Sequence, residues 1–142
     1  QIYGARSLWA SCLTASCLAE IGVEELAVYG HMSENYIPIP KIPVGDNENN
    51  LLALSIEEEN DYVLLKVVLP THFTPKVCVR AFLPLVDTNK KLLLSGRMPS
   101  WFAMSIILSY SNEEKYVHTP GIGFIKVEDR KSYKHGEIII LS

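Results

Sequence analysis

The feature that most constrains the fold is a spacing that occurs twice. Gly4 to Trp9 and Gly96 to Trp101 both read Gly-x-x-x-x-Trp, and in both the Trp opens an apolar run of helical length. A short strand-like segment follows each run, Glu25-Leu-Ala-Val-Tyr29 in the first and Glu114-Lys-Tyr-Val-His118 in the second, and then a polar, turn-prone stretch. Lys41-Ile-Pro-Val-Gly-Asp46 falls where Tyr133-Lys-His-Gly-Glu137 falls. Self-similarity of this kind marks a repeated supersecondary unit. Residues 51–142 then form one complete unit, 45–50 a linker, and 1–44 a diverged half-repeat, the second half of an earlier unit. Gln1-Ile2-Tyr3-Gly4 reads as the tail of a strand entering a turn, which leads us to expect a truncated or processed N-terminus.

Local signals fill in the unit. Ser7 is placed to cap a helix over 8–20 whose stripe is Leu8, Trp9, Cys12, Leu13, Cys17 and Leu18, and Gly22 to end it. Residues 25–29 read as a strand. Pro38, Pro40 and Pro43 make 36–44 an edge or polyproline-like segment, because proline cannot donate to a central ladder. Residues 51–57 and 61–69 read as a hairpin around Glu58-Glu59-Asn60, with the glutamate run 57–59 as a solvated tip. Thr74 and Pro75 are placed to open a short helix through about Phe82. Then come a buried strand over 91–94, a loop over 96–99, and a helix from Pro99 to about Tyr110. Strands over 115–118, 122–127 and 137–141 complete the chain. The fold class is α+β: a small mixed sheet with a strand–Gly loop–helix–strand crossover unit, partly duplicated, with helices packed on the sheet.

The chain's 142 residues suffice for one domain with a real core. The net charge of −3 argues against duplex DNA held over many phosphates, while a small anion in one local pocket stays compatible with it. Cys12, Cys17 and Cys78 have neither metal-ligand nor disulfide-framework spacing and read as buried thiols of a reducing, cytoplasmic compartment. No apolar stretch is long enough for a membrane span, and no secretory signal pattern is visible.

The chemistry expected of the repeat lies in its glycine loops. Ligands of such crossover folds bind at the carboxyl ends of the strands, where a helix N-terminus offers unpaired N–H groups suited to phosphate. Gly96 would let backbone approach a ligand, Arg97 would clamp phosphate oxygens and Ser95 would add a hydroxyl donor. Gly4 and Arg6 would do the same in the first copy, with the arginine displaced by one residue. The plainer reading sends such an arginine to solvent or to a carboxylate. Trp9 and Trp101 read as core anchors rather than stacking platforms. Of His31, His72, His118 and His135, His118 is the candidate general acid or base, with a packing role as the alternative, and no pair has metal-ligand spacing.

Residues 51–142 resemble the Csx-three family of CRISPR-associated ring nucleases. The segments that carry the resemblance are Leu92-Leu-Leu-Ser-Gly-Arg-Met-Pro-Ser-Trp101, Thr119-Pro-Gly-Ile-Gly-Phe124 and Ser132-Tyr-Lys-His-Gly-Glu-Ile-Ile-Ile140. The resemblance implies a small α+β domain that dimerises and stacks further, holding and cutting cyclic tetra-adenylate between subunits in type III antiviral defence. It also implies a manganese-dependent ribonuclease activity on RNA ends. Where the family has Asp-Pro-Arg, however, this chain has Thr119-Pro120-Gly121, and no histidine stands near Ser111, where the family has one late in its helix. The corresponding turn of the first copy, Tyr29-Gly30-His31-Met32, also lacks the acid and the arginine.

Three functions follow as expectations. The first is a binder of cyclic oligoadenylate or short RNA, with catalysis reduced or rebuilt. The second is an interaction or scaffold module in which the two diverged copies form a pseudo-dimer in place of a homo-oligomer. The third is an unrelated small enzyme sharing only the crossover turn.

Overall fold

The computed structural model describes residues 8–22, 27–30, 35–39, 42–45, 53–68, 82–129 and 138–140. Helix α1 spans Leu8–Glu20, and strands β1 (Ala27–Gly30) and β2 (Asn35–Pro38) pair antiparallel as a separate two-stranded sheet. The main sheet is built from β3 (Ala53–Glu58), β4 (Tyr62–Val68), β5 (Lys91–Arg97), β6 (Glu114–Thr119), β7 (Gly123–Asp129) and β8 (Ile138–Ile139), with α2 (Ser100–Ser109) crossing from β5 to β6. Among the described residues it has six strands in the order β3-β4-β5-β6-β7-β8. The three central strands β4, β5 and β6 run parallel, and the β3–β4, β6–β7 and β7–β8 pairs are antiparallel. This is the α+β mixed sheet with a helical crossover that the sequence predicts.

The helix α2 is apolar on every side. All seven residues from Trp101 to Ile107 are buried, which requires covering on all faces. The sheet lies on one side of it and α1 on another. Trp101, at 5% exposed, packs its ring edge-on against Phe102, so it is a core anchor. In α1, Ser11, Cys12, Ala15 and Ser16 are buried, and Trp9, Leu13 and Leu18 of the expected stripe pack partly buried against the same core. Small residues let the two helices approach closely, and this turns Cys17 outward. Of the cysteines expected to be buried, Cys12 is, with its thiol pushed up by desolvation, and Cys17 is exposed. Cys78 lies outside the described residues.

Cys12, Ala15 and Ile42 share one core with Leu65, Val67, Leu83, Leu92, Leu94 and Val127. The proline-rich segment contributes directly: Leu83 donates its N–H to the Pro43 carbonyl, Gly45 donates to the Leu83 carbonyl, and Val44 bridges Leu83 in parallel. The opposite face of the sheet holds a second cluster of Leu64, Leu93, Tyr116 and Phe124, with Tyr62 and Ile139 packed against it. The central strands are therefore buried on both faces, as parallel strands usually are. The hairpin tip is exposed from Glu57 to Glu59, as the sequence predicts, and Lys90 reaches it. Lys90 Nζ donates to Glu58 Oε1 at 2.9 Å and to the Glu59 carbonyl at 2.7 Å.

Four charged residues, Lys115, Lys126, Glu128 and Asp129, are buried beside the β6–β7 bulge. The register shifts between Lys115 and Tyr116, which sets Lys115 opposite Glu128 and Tyr116 opposite Lys126. On the helical side, Lys115 Nζ lies 2.6 Å from Glu128 Oε2 and donates to the Ile107 carbonyl at 2.6 Å, while Ser16 Oγ donates to Glu128 Oε1. Lys126 pairs with Asp129 at 2.9 Å and Glu114 at 3.1 Å, over the Tyr116 ring. No helix among the described residues is long and apolar enough to cross a membrane.

Candidate functional site

The segment Ser95-Gly96-Arg97 belongs to β5. The sequence places a loop over 96–99, but the strand continues through Arg97, because β4 runs alongside to Val68 and supplies a ladder partner at each step. Lys66 pairs with Ser95, Val67 with Gly96 and Val68 with Arg97. What remains of the loop is Met98 and Pro99, with Pro99 at φ −67° and ψ 153° as the cap residue of α2. The first α2 amides that bond inward, Phe102 and Ala103, both donate to the Pro99 carbonyl.

Gly96 is explained by its neighbouring strand. Its φ of +122° is one that side chains rarely adopt, and a Cβ there would run into the Val67 carbonyl and stand 2.9 Å from the Val67 nitrogen. Close backbone approach is therefore required by β4. The expectation that this glycine exists to admit a ligand loses its exclusive force.

The other candidates converge. Side chains alternate along a strand, so Ser95 lies on the face of Leu93, and Arg97 follows two residues on. His118 lies on the Tyr116 face, its ring 5.1 Å from that of its cross-strand partner Phe124. The β5–β6 register ends at Leu94 and Val117, which places Ser95 and His118 one residue further on in each strand. Ser95 and His118 are half-buried and Arg97 is exposed. The backbone register thus places a serine, a histidine and an arginine at the carboxyl ends of adjacent parallel strands, where α/β sheets hold their ligands. The packing of His118 on Phe124 also accounts for that ring without any chemistry.

The register adds Lys66, a residue that the sequence did not single out. It sits in the β4 position beside Ser95 and on the same face, and its Nζ lies 2.9 Å from Glu57 Oε1. Nothing in the chain from 61 to 69 marks this lysine apart, and only the strand pairing brings it to Ser95. A shallow hollow of about 270 Å³ beside it is lined by Leu54, Ser55, Lys66 and Val68.

A larger groove of about 670 Å³ opens at the opposite end of the sheet, where Asp61, Lys90, Lys91, Glu113 and Glu114 line the amino ends of β4, β5 and β6. Its Lys90 is already held by Glu58 and the Glu59 carbonyl. Three carboxylates beside two lysines make it a poor host for a phosphate.

Among the described residues no group of three His, Cys, Asp or Glu side chains could hold a metal ion. At the β6–β7 turn, Thr119, Pro120 and Gly121 supply no carboxylate or imidazole. Gly4, Arg6, His31, His72 and His135 lie outside the described residues. No protein-family model matches the chain.

Proposed function

We propose that this protein binds a cyclic oligoadenylate, cyclic tetra-adenylate in particular, through its phosphates at the carboxyl ends of β5 and β6, in type III CRISPR defence. The observation that carries the reading is the placement of Ser95, Arg97 and His118 at one end of adjacent parallel strands. In this reading Arg97 pairs with phosphate oxygens, Ser95 donates a hydroxyl hydrogen bond, and His118 is the group available to move a proton. Catalysis is reduced or lost, since Thr119 and Gly121 stand where the resemblance implies an acid and an arginine. The same surface would accept short RNA, and the family's homo-oligomer or an internal pseudo-dimer would complete the site.

Calorimetry with cyclic tetra-adenylate tests the reading. Arg97→Ala is expected to weaken binding by about tenfold, the value of one charge-assisted hydrogen bond. Lack of wild-type binding at ~50 μM removes the proposal. A product assay with and without manganese then separates binder from nuclease, and loss of any cleavage in His118→Ala assigns the proton-moving group.

The second reading, an interaction module, draws on an exposed aliphatic patch. Ile138 and Ile140 are 50% and 77% exposed at the β8 edge, and both approach Gly123, the neighbour of exposed Ile122. Light scattering of Ile140→Asp against wild type tests it: an unchanged mass sets aside self-association through this patch.

A further inference from the structure

We propose that Lys66 is a second phosphate-binding residue of this site and that Glu57 competes with the ligand for it. The inference rests on the phosphate-binding reading above and extends the site from β5 and β6 onto β3 and β4.

Three observations carry it. First, Lys66 and Ser95 are directly paired in the parallel β4–β5 register, so they stand one strand spacing apart on one face. Val68 is paired with Arg97 two residues further on, so Lys66 and Arg97 stand at diagonal positions of the β4–β5 ladder. A chain of phosphodiesters running across the strand ends would meet Lys66 and Arg97 in succession. Second, Lys66 is not buried in a structural pair. It is 47% exposed and its partner Glu57 56% exposed, and an ion pair so open to water has little net strength and exchanges partners readily. Third, a shallow hollow lined by Leu54, Ser55, Lys66 and Val68 leaves the Lys66 side chain bordered by open space.

Glu57 has a defined part in this arrangement. It pairs in register with Leu64 on the edge hairpin and reaches diagonally to Lys66. Without ligand it neutralises the lysine. With a phosphate present its own charge opposes the anion.

The sign of two substitutions tests the proposal. Cyclic tetra-adenylate is titrated into the full chain by calorimetry across a series of salt concentrations. Lys66→Ala should weaken binding about two- to fivefold and lower the slope of log affinity against log salt by about 0.7, as expected for one lost phosphate contact on a single strand. Glu57→Gln should tighten binding about two- to fivefold. Tightening cannot come from a misfolded variant, so the second result stands apart from any effect on stability. Unchanged or weaker binding by Glu57→Gln, or unchanged affinity and salt slope in Lys66→Ala, overturns the inference. If Arg97→Ala weakens binding while the Lys66 and Glu57 variants do not alter it, this inference fails and the phosphate reading survives. Absence of wild-type binding overturns both.

Discussion

Lys115 and Lys66 each stand within 3 Å of a carboxylate, at 2.6 Å from Glu128 and 2.9 Å from Glu57. Their surroundings differ completely. The side chains of the first pair are 0% and 2% exposed and those of the second 47% and 56%. Burial strips water from both partners of the first pair, so each requires the other, and the Ile107 carbonyl and Ser16 hydroxyl take up further hydrogen-bonding capacity. Those contacts also join α2, α1, β6 and β7, so the interior pair holds the helical layer to the sheet. In the surface pair water does most of the solvation, and either partner can leave at small cost. The same chemistry thus serves as a fastening in one region and as an exchangeable contact in the other.

The sharpest way to break this comparison is to remove one interior partner. Lys115→Met leaves Glu128 buried and uncompensated, and a loss of about 3–5 kcal/mol in urea unfolding is expected. The double variant Lys115→Met with Glu128→Leu should recover most of that loss, because a well-packed apolar pair replaces the ion pair at similar volume. A single variant costing under ~1 kcal/mol would mean that water reaches the pair and that the two lysines are alike.

Gly96 stands on the strand that runs from one region to the other. Leu92, Leu93 and Leu94 are fully buried, whereas Gly96 and Arg97 are exposed. Gly96→Ala is expected to cost about 1–3 kcal/mol in the same unfolding measurement, from positive φ and the encounter with Val67 backbone. If the cost is near zero, the strand can shift away from β4, and Lys66 and Ser95 need not stay adjacent.

Much of this division is readable from local patterns and some of it is not. The apolar runs 8–20 and 100–109 carry their own helix lengths, and Leu92-Leu-Leu94 announces a strand buried on both faces. The end of β5 is different, because whether Ser95 to Arg97 is loop or strand depends on where β4 stops, some 30 residues earlier. Nothing in the local sequence marks Lys115 and Lys126 as buried. The burial of Lys115 arises from a bulge that sets it opposite Glu128 and from α1, whose Ser16 bonds Glu128 across 112 residues of sequence, and neither leaves a local signal. At the candidate site, Ser95, Arg97 and His118 carry visible chemistry, but Lys66 becomes part of it only through register.

The smallest effect tests the exposed side of the comparison. Lys66→Ala and Glu57→Gln each remove one partner of a pair that is about half open to water. Unlike the interior partner, the group left behind is rehydrated rather than stranded, so stability should change by less than ~1 kcal/mol for either variant. Added salt should shrink even that difference, since near 1 M the screening length falls to about 3 Å, close to the separation of the charges. The interior pair, held away from solvent, should show no comparable salt response. A surface variant that destabilises the protein as strongly as Lys115→Met, and does so independently of salt, would show that Lys66 fastens the β3–β4 hairpin. In that case it could not be given up to a phosphate, because the ligand would have to break a structural contact to reach it.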